Sequence, residues 1–114
     1  MAVVPWTVVT SFDGGKLIKW SGLSGGDIGA PFVVAEFGRV SIELSGMFGG
    51  PVWIEGTLAP DGDDFGALTD RQGMPLSGLT SARRQRLGDA PYRLRPRAGQ
   101  GVKHVDVWLL LARG

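Results

Sequence analysis

Arg39-Val40-Ser41-Ile42-Glu43-Leu44 is an unbroken polar–apolar alternation, with Val40, Ile42 and Leu44 on one side and Arg39, Ser41 and Glu43 on the other. Successive side chains of a strand point to opposite faces, so this stretch reads as a strand with one buried and one solvated face. The following segment, Ser45 to Pro51, holds Gly46, Gly49 and Gly50 and reads as a turn. The pattern then returns from Val52 to Leu58, with Val52, Ile54 and Leu58 opposed to Trp53, Glu55 and Thr57. The two runs are expected to form an antiparallel hairpin.

Working outward, the same texture continues in both directions. Val3 to Ser11 is rich in β-branched residues and reads as a strand, with Pro5 marking an edge position or a late start. Asp13-Gly14-Gly15 is a hairpin turn into Lys16 to Trp20. Ser21 to Ala30 is a Gly-rich loop, and Pro31 to Phe37 a short apolar run. On the other side, Pro60 to Asp64 is a solvated loop, Phe65 to Leu68 a short strand, and Asp70 to Gly78 a turn-rich segment. Thr80 to Leu87 is the one helix the pattern offers, capped by Thr80 or Ser81 and stopped by Gly88. Tyr92 to Arg97 alternates again, and Val102 to Leu111 is a long final strand with Val105, Val107, Leu109 and Leu111 on one face. The expectation is an all-β fold, an antiparallel β-sandwich of about seven to eight strands with one short helix.

Composition bounds the function classes. The 114 residues, taken as 1–114, make a single domain with one core. The 19 glycines have no three-residue period, which excludes collagen. A formal net charge of +1 supplies no global field for nucleic acid or an anionic membrane. There is no Cys, which excludes disulfides and thiolate zinc sites and suits a reducing cytoplasm. The apolar start, MAVVPWTVV, has no basic region before it and is too short for a secretory signal or a membrane span, so a soluble, unprocessed chain is expected.

No catalytic, cofactor-binding or metal-ligating residue is assigned. His104 is the single histidine; with Asp106 two residues on, it reads as a polar surface pair, and no nucleophile elbow accompanies it. Asp61, Asp63 and Asp64 lack the order of a calcium loop, so a solvated loop ranks above a bound ion. The arginines ask for more. Arg83, Arg84 and Arg86 cluster in the expected helix, and Arg93, Arg95 and Arg97 line one face of one strand. Like charges along a strand repel, so cross-strand carboxylates, an acidic partner or phosphate must offset them, in that order of expectation. Nucleic acid ranks last, because no aromatic–basic interleaving accompanies the row.

Four tryptophans are many for this length. Trp6 and Trp20 read first as core. Trp53 and Trp108 lie opposite the apolar faces of their strands, so those strands are buried on both sides or their indoles meet a partner. Trp and Arg are enriched at interface hot spots. Trp53, Trp108, Arg93, Arg95, Arg97 and Trp6 are therefore the expected protein-binding residues, with a sugar-binding platform as the rival use of exposed Trp.

The run Trp20-Ser21-Gly22-Leu23-Ser24-Gly25-Gly26-Asp27-Ile28-Gly29-Ala30-Pro31 resembles a W-x-G-L-x-x-G-D-x-G-x-P segment of small virion structural proteins of tailed bacteriophages. Ser45 to Gly50, Val52 to Thr57, Leu68 to Gly73 with Pro75-Leu76, and Pro91 to Pro96 are similar as well. The family also carries a G-S-N-D-G-x-x-W segment; here Asp61-Gly62 stands but Phe65 replaces the Trp, a departure that weakens a glycan-binding inference. The resemblance implies a jelly-roll-like sandwich, no catalysis, and a place on the virion. The expected role is a capsid decoration or cement protein on the capsid surface, assembled in the host cytoplasm. Its expected partners are the major capsid protein and itself, as dimer or trimer, with residues 1–6 and 112–114 as interaction arms. A neck or tail component, or a carbohydrate-binding module of the tail, is the alternative.

Overall fold

Proline has no N–H to give a ladder, and Pro5 divides the N-terminal β-branched run into β1 (Val3–Val4) and β2 (Trp6–Phe12). The two pieces join different sheets of a β-sandwich. The computed structural model describes residues 2–88 and 90–113. Its remaining strands are β3 (Gly15–Leu23), β4 (Ile28–Gly29), β5 (Phe32–Val33), β6 (Arg39–Met47), β7 (Val52–Thr57), β8 (Gly66–Ala67), β9 (Arg83–Arg86), β10 (Arg93–Ala98) and β11 (His104–Ala112). One sheet has the order β1-β4-β10-β7-β8, with β5 also on β10; the other runs β2-β3-β11-β6-β9. Among the described residues there are eleven strands, more than the seven to eight expected. The excess comes from the division of the first run into β1 and β2, from β4 inside the expected Gly-rich loop and from β9 inside the expected helix.

The hairpin expected between Arg39–Leu44 and Val52–Leu58 does not form. β6 pairs with β11 and β9, and β7 pairs with β10 and β8 in the opposite sheet. Each strand has one apolar face, and placing them in facing sheets points Val40, Ile42 and Leu44 and Val52 and Ile54 into one core. The glycines between them carry the chain over the sandwich edge. At Gly50 an added Cβ would lie 2.2 Å from the Gln100 carbonyl oxygen, too close for any side chain.

The expected helix is also absent: Arg83–Arg86 is strand β9, registered on β6 from Ser41↔Arg86 to Leu44↔Arg83. The local sequence has no apolar stripe to dock a helix, and eight residues cannot hold one alone. The free edge of β6 offers a ladder instead, and Leu87, whose amide donates to the Val40 carbonyl at 2.8 Å, then buries its side chain in the core. No described helix is long and apolar enough to cross a membrane.

The core is built by period-two patterning. Val105, Val107, Leu109 and Leu111 of β11 are fully buried, as are Ile18, Trp20 and Leu23 of β3 and Leu94 of β10. Each such side chain contributes roughly 1.5–3 kcal/mol on removal from water. The interior is filled by these side chains. Of the segment 1–6 considered as an arm, Ala2 and Val4 accept amide hydrogen bonds from Ile28 and Ala30 at 2.9 and 2.8 Å, while Met1 lies outside the described residues. At the other end Ala112 completes β11 and the Arg113 amide donates to Gly14 at 2.8 Å; Gly114 lies outside the described residues.

Candidate interaction surface

The outward face of β10 and β7 gathers four of the six residues singled out in the sequence. Inward-facing Leu94, Pro96 and Ala98 leave Arg93, Arg95 and Arg97 pointing out, and the register sets Arg97 opposite Trp53 and Arg95 opposite Glu55. The arginine row is held within the chain, as the first of its expected explanations required. Arg95 and Arg97 donate through Nε to the two carboxylate oxygens of Glu55, at 3.4 and 3.1 Å. Glu55 is only 7% exposed beneath them. Aromatic rings complete the ladder: the Arg97 guanidinium lies 4.1 Å from the Trp53 ring and that of Arg95 4.0 Å from the Phe65 ring. Arg93 donates to the Gly62 carbonyl, which ties the Asp-rich loop to the same face.

Within the ladder itself three guanidiniums face one carboxylate, Glu55, while the tied loop carries Asp61, Asp63 and Asp64. One carboxylate serves two arginines, and planar guanidiniums stacked on rings lose little further entropy on binding. The bonds from Arg95 and Arg97 to Glu55 use Nε only, which leaves their Nη donors outside these two pairs. Chemically the face suits recognition of carboxylates or of an acidic protein surface.

The other two expected residues lie elsewhere. Trp108 sits on the outer face of the opposite sheet, under Lys19, whose Nζ is 4.3 Å from the ring. Lys19 also lies 3.5 Å from Asp106, and His104 Nε2 is 3.7 Å from the same carboxylate. Asp106 has a structural task. Ser21 and Gly22 of β3 together oppose it in a bulge, and its Oδ1 accepts the Gly22 amide at 2.8 Å. Trp6 lies at the side of the sandwich, 37% exposed, with its indole N–H donating to the Pro31 carbonyl at 3.2 Å and its ring edge-on to Phe32 at 4.8 Å. Trp20, by contrast, is fully buried and donates to the Ala30 carbonyl at 2.9 Å. The six residues therefore occupy three places: one continuous patch, one opposite face and one flank.

Two carboxylates without an assigned role in the sequence organise loops. Asp27 of the Gly-rich segment accepts from the Ser24 amide and hydroxyl, both at 3.0 Å, and from the Ala2 amide at 3.2 Å. The Ser24 amide leads in holding its pKa below the usual carboxylate value, against the opposing effect of burial; the Ser24 hydroxyl and Ala2 amide add to it. Asp70, 3% exposed, accepts from the amides of Gln72 and Met74 at 2.9 and 3.0 Å and from Gln85 Nε2 at 2.7 Å. The signal was available: an Asp two residues ahead of a Gln-Gly turn is an Asx-turn pattern.

Among the described residues no three His, Asp or Glu side chains are grouped to hold a metal ion. A cleft of about 320 Å³ at one end of the sandwich is lined by Val34, Phe37, Leu58, Leu87, Tyr92 and their neighbours, without a charged side chain among its described residues.

No family model matches the chain, and no curated protein matches it in sequence. Among solved structures the fold is similar to that of the SPBc2 prophage-derived protein YomS, with a TM-score of 0.65 at 16% identity over 92% of this chain and 98% of that one. It is also similar to an RmlC-like cupin protein from Desulfovibrio desulfuricans, with a TM-score of 0.53 at 14% identity over 96% of this chain and 82% of that one. These likenesses define the class of fold, an all-β jelly-roll-like sandwich.

Proposed function

We propose that the chain is a bacteriophage virion structural protein, specifically a capsid decoration or cement protein that grips the major capsid protein lattice and associates with itself. The observation that carries this reading is the Trp53–Arg97–Glu55–Arg95–Phe65 ladder, a preorganised row of arginines and rings on a sandwich whose core is filled by side chains. Such a face binds an acidic partner surface without reorganising. Repetition on a symmetric lattice turns modest single contacts into durable attachment through effective concentration. The near end-to-end likeness to a prophage-derived protein supports the same direction. The reading assigns the chain no catalysis and places it on the virion, with Trp53, Arg93, Arg95 and Arg97 toward the capsid and Trp108 and Trp6 toward neighbouring copies.

The test is cryo-EM of intact particles of a phage that encodes the chain. Density of this sandwich over the capsid lattice, with the arginine face against the shell, is the expected result. Density confined to the neck or tail overturns the cement assignment in favour of the alternative position, and absence from purified particles overturns the virion reading itself.

A further inference from the structure

Among the described residues the sheet edges are short or covered in all but one place. In the six-stranded sheet the outermost strands β1, β5 and β8 are two residues long, too short to template another chain. In the five-stranded sheet β9 is crossed at its end by residues 69–71: the Arg71 amide donates to the Arg86 carbonyl at 3.1 Å, and the Gly88 amide to the Thr69 carbonyl at 2.9 Å. β2 is the exception. Its seven residues, Trp6–Phe12, are all exposed, and among the described residues its ladder runs to β3 alone.

The composition of β2 matches its exposure. From Val3 to Phe12 there is no charged side chain, and Val8 and Val9 are each 48% exposed and Phe12 45%. A long, neutral, apolar edge is what natural proteins avoid unless another strand covers it. Neutrality also decides which strand. Two copies related by a two-fold axis bring like residues together, and only an uncharged edge does so without repulsion.

We infer that β2 pairs antiparallel with β2 of a second copy, fusing the two five-stranded sheets into one ten-stranded sheet. The register follows from the faces. Thr7 and Thr10 align with Lys19 and Leu17 on the outer face of β3, whereas Trp6 and Ser11 align with Trp20 and Lys16 on its inner side. Directly opposed residues must share a face, and the bulge at Val9 shifts the parity of the second half of the strand. An axis between Val8 and Val9 satisfies both conditions. It sets Thr7 opposite Thr10 of the second copy and Trp6 opposite its Ser11. A specific interface removes on the order of 1,000 Å² from water, so the exposed side chains flanking the paired edges must take part as well. The inference gives the self-association in the proposed function a location, and it depends on that part of the reading alone.

Sedimentation velocity on the purified full chain tests it separately from any particle. The wild type is expected as a dimer. Val9→Lys, at an exposed position, is expected to keep the circular dichroism spectrum of the folded chain while weakening the dimer roughly tenfold or more, because it sets lysines across the axis. The doubly substituted Thr7→Cys/Thr10→Cys chain, otherwise free of cysteine, is expected to form a covalent dimer on mild oxidation. A wild-type monomer or trimer overturns the inference. So does a dimer indifferent to Val9→Lys but dissociated by Trp108→Ala, and so does β2 found paired with a capsid-protein segment on the particle. A monomer in solution together with density on the capsid lattice would remove this interface and leave the cement assignment standing.

Discussion

β2 and β9 are the two edges of one sheet, and they treat the same physical problem in opposite ways. Both present backbone groups that a foreign strand can capture. β9 answers with charge and cover: its sequence is Arg83-Arg84-Gln85-Arg86, and the loop carrying Asp70 folds over its end and bonds Gln85. β2 has neither device. Arg86 shows how firmly charge guards that side: Arg71 first, then burial and Arg39, depress its pKa, so three guanidiniums lie close enough to repel one another and any cationic strand. An edge lined with like charges disfavours a cationic strand, and a neutral edge carries no such repulsion. On the inference that β2 pairs with a second copy, the difference separates a boundary from an interface.

That contrast can be broken most severely at β9. Asp70→Ala removes the acceptor for two loop amides and for Gln85 in a nearly buried site, leaving those donors unsatisfied. A loss of about 2–4 kcal/mol in unfolding free energy is expected. Chemical denaturation measures it, and a change under about 0.5 kcal/mol would show that the cover does not hold the edge.

Acid is expected to loosen the β2 side in a smaller, graded way. Asp27 anchors Ala2 and the Ser24 turn beside the start of β1, and its folded pKa lies below the ordinary aspartate value of 3.8. A carboxylate depressed by folding contributes stability that is complete above its unfolded pKa and fades as pH falls through the lower, folded value. The window therefore opens near pH 4 and extends below it. Amide NMR between pH 6 and 2.5 is expected to show the Ser24 and Ala2 signals moving with one sub-4 transition. Asp27→Asn should lack that transition. Titration of those amides above pH 5 would be incompatible with the sign.

The smallest effect is expected at Arg84, whose side chain is 81% exposed and reaches Glu43 at 2.8 Å. Arg84→Ala should change stability by roughly 0.5 kcal/mol or less, and still less in high salt. A larger, salt-independent loss would mean that β9 depends on its individual pairs and not on its covering loop.

The face of β10 was legible in the sequence because strand period alone separates Arg93, Arg95 and Arg97 from Leu94 and Pro96. The same period places Val105, Val107, Leu109 and Leu111 in the core, and Asp13-Gly14 marks the β2–β3 turn. Period is local, and local signals end where pairing begins. Nothing between Arg39 and Leu58 states whether two amphipathic strands will share a ladder or face each other across a core, since both arrangements bury the same residues. The segment from Thr80 to Leu87 read as a helix because Thr80 or Ser81 can cap one and Gly88 can stop it, and only the vacant edge of β6 made a strand of it.

The sequence by itself determined which side of β6, β10 and β11 is buried, where Gly and Pro interrupt the strands, and that an all-β sandwich would result. Tertiary structure decided which strands are neighbours, that Glu55 would be the counter-charge of Arg95 and Arg97, and that β2 would lie uncovered at an edge. The physical reason is one of range. Side-chain alternation is dictated by adjacent peptide units, whereas strand order and exposure follow from the competition of every strand for the same two sheets.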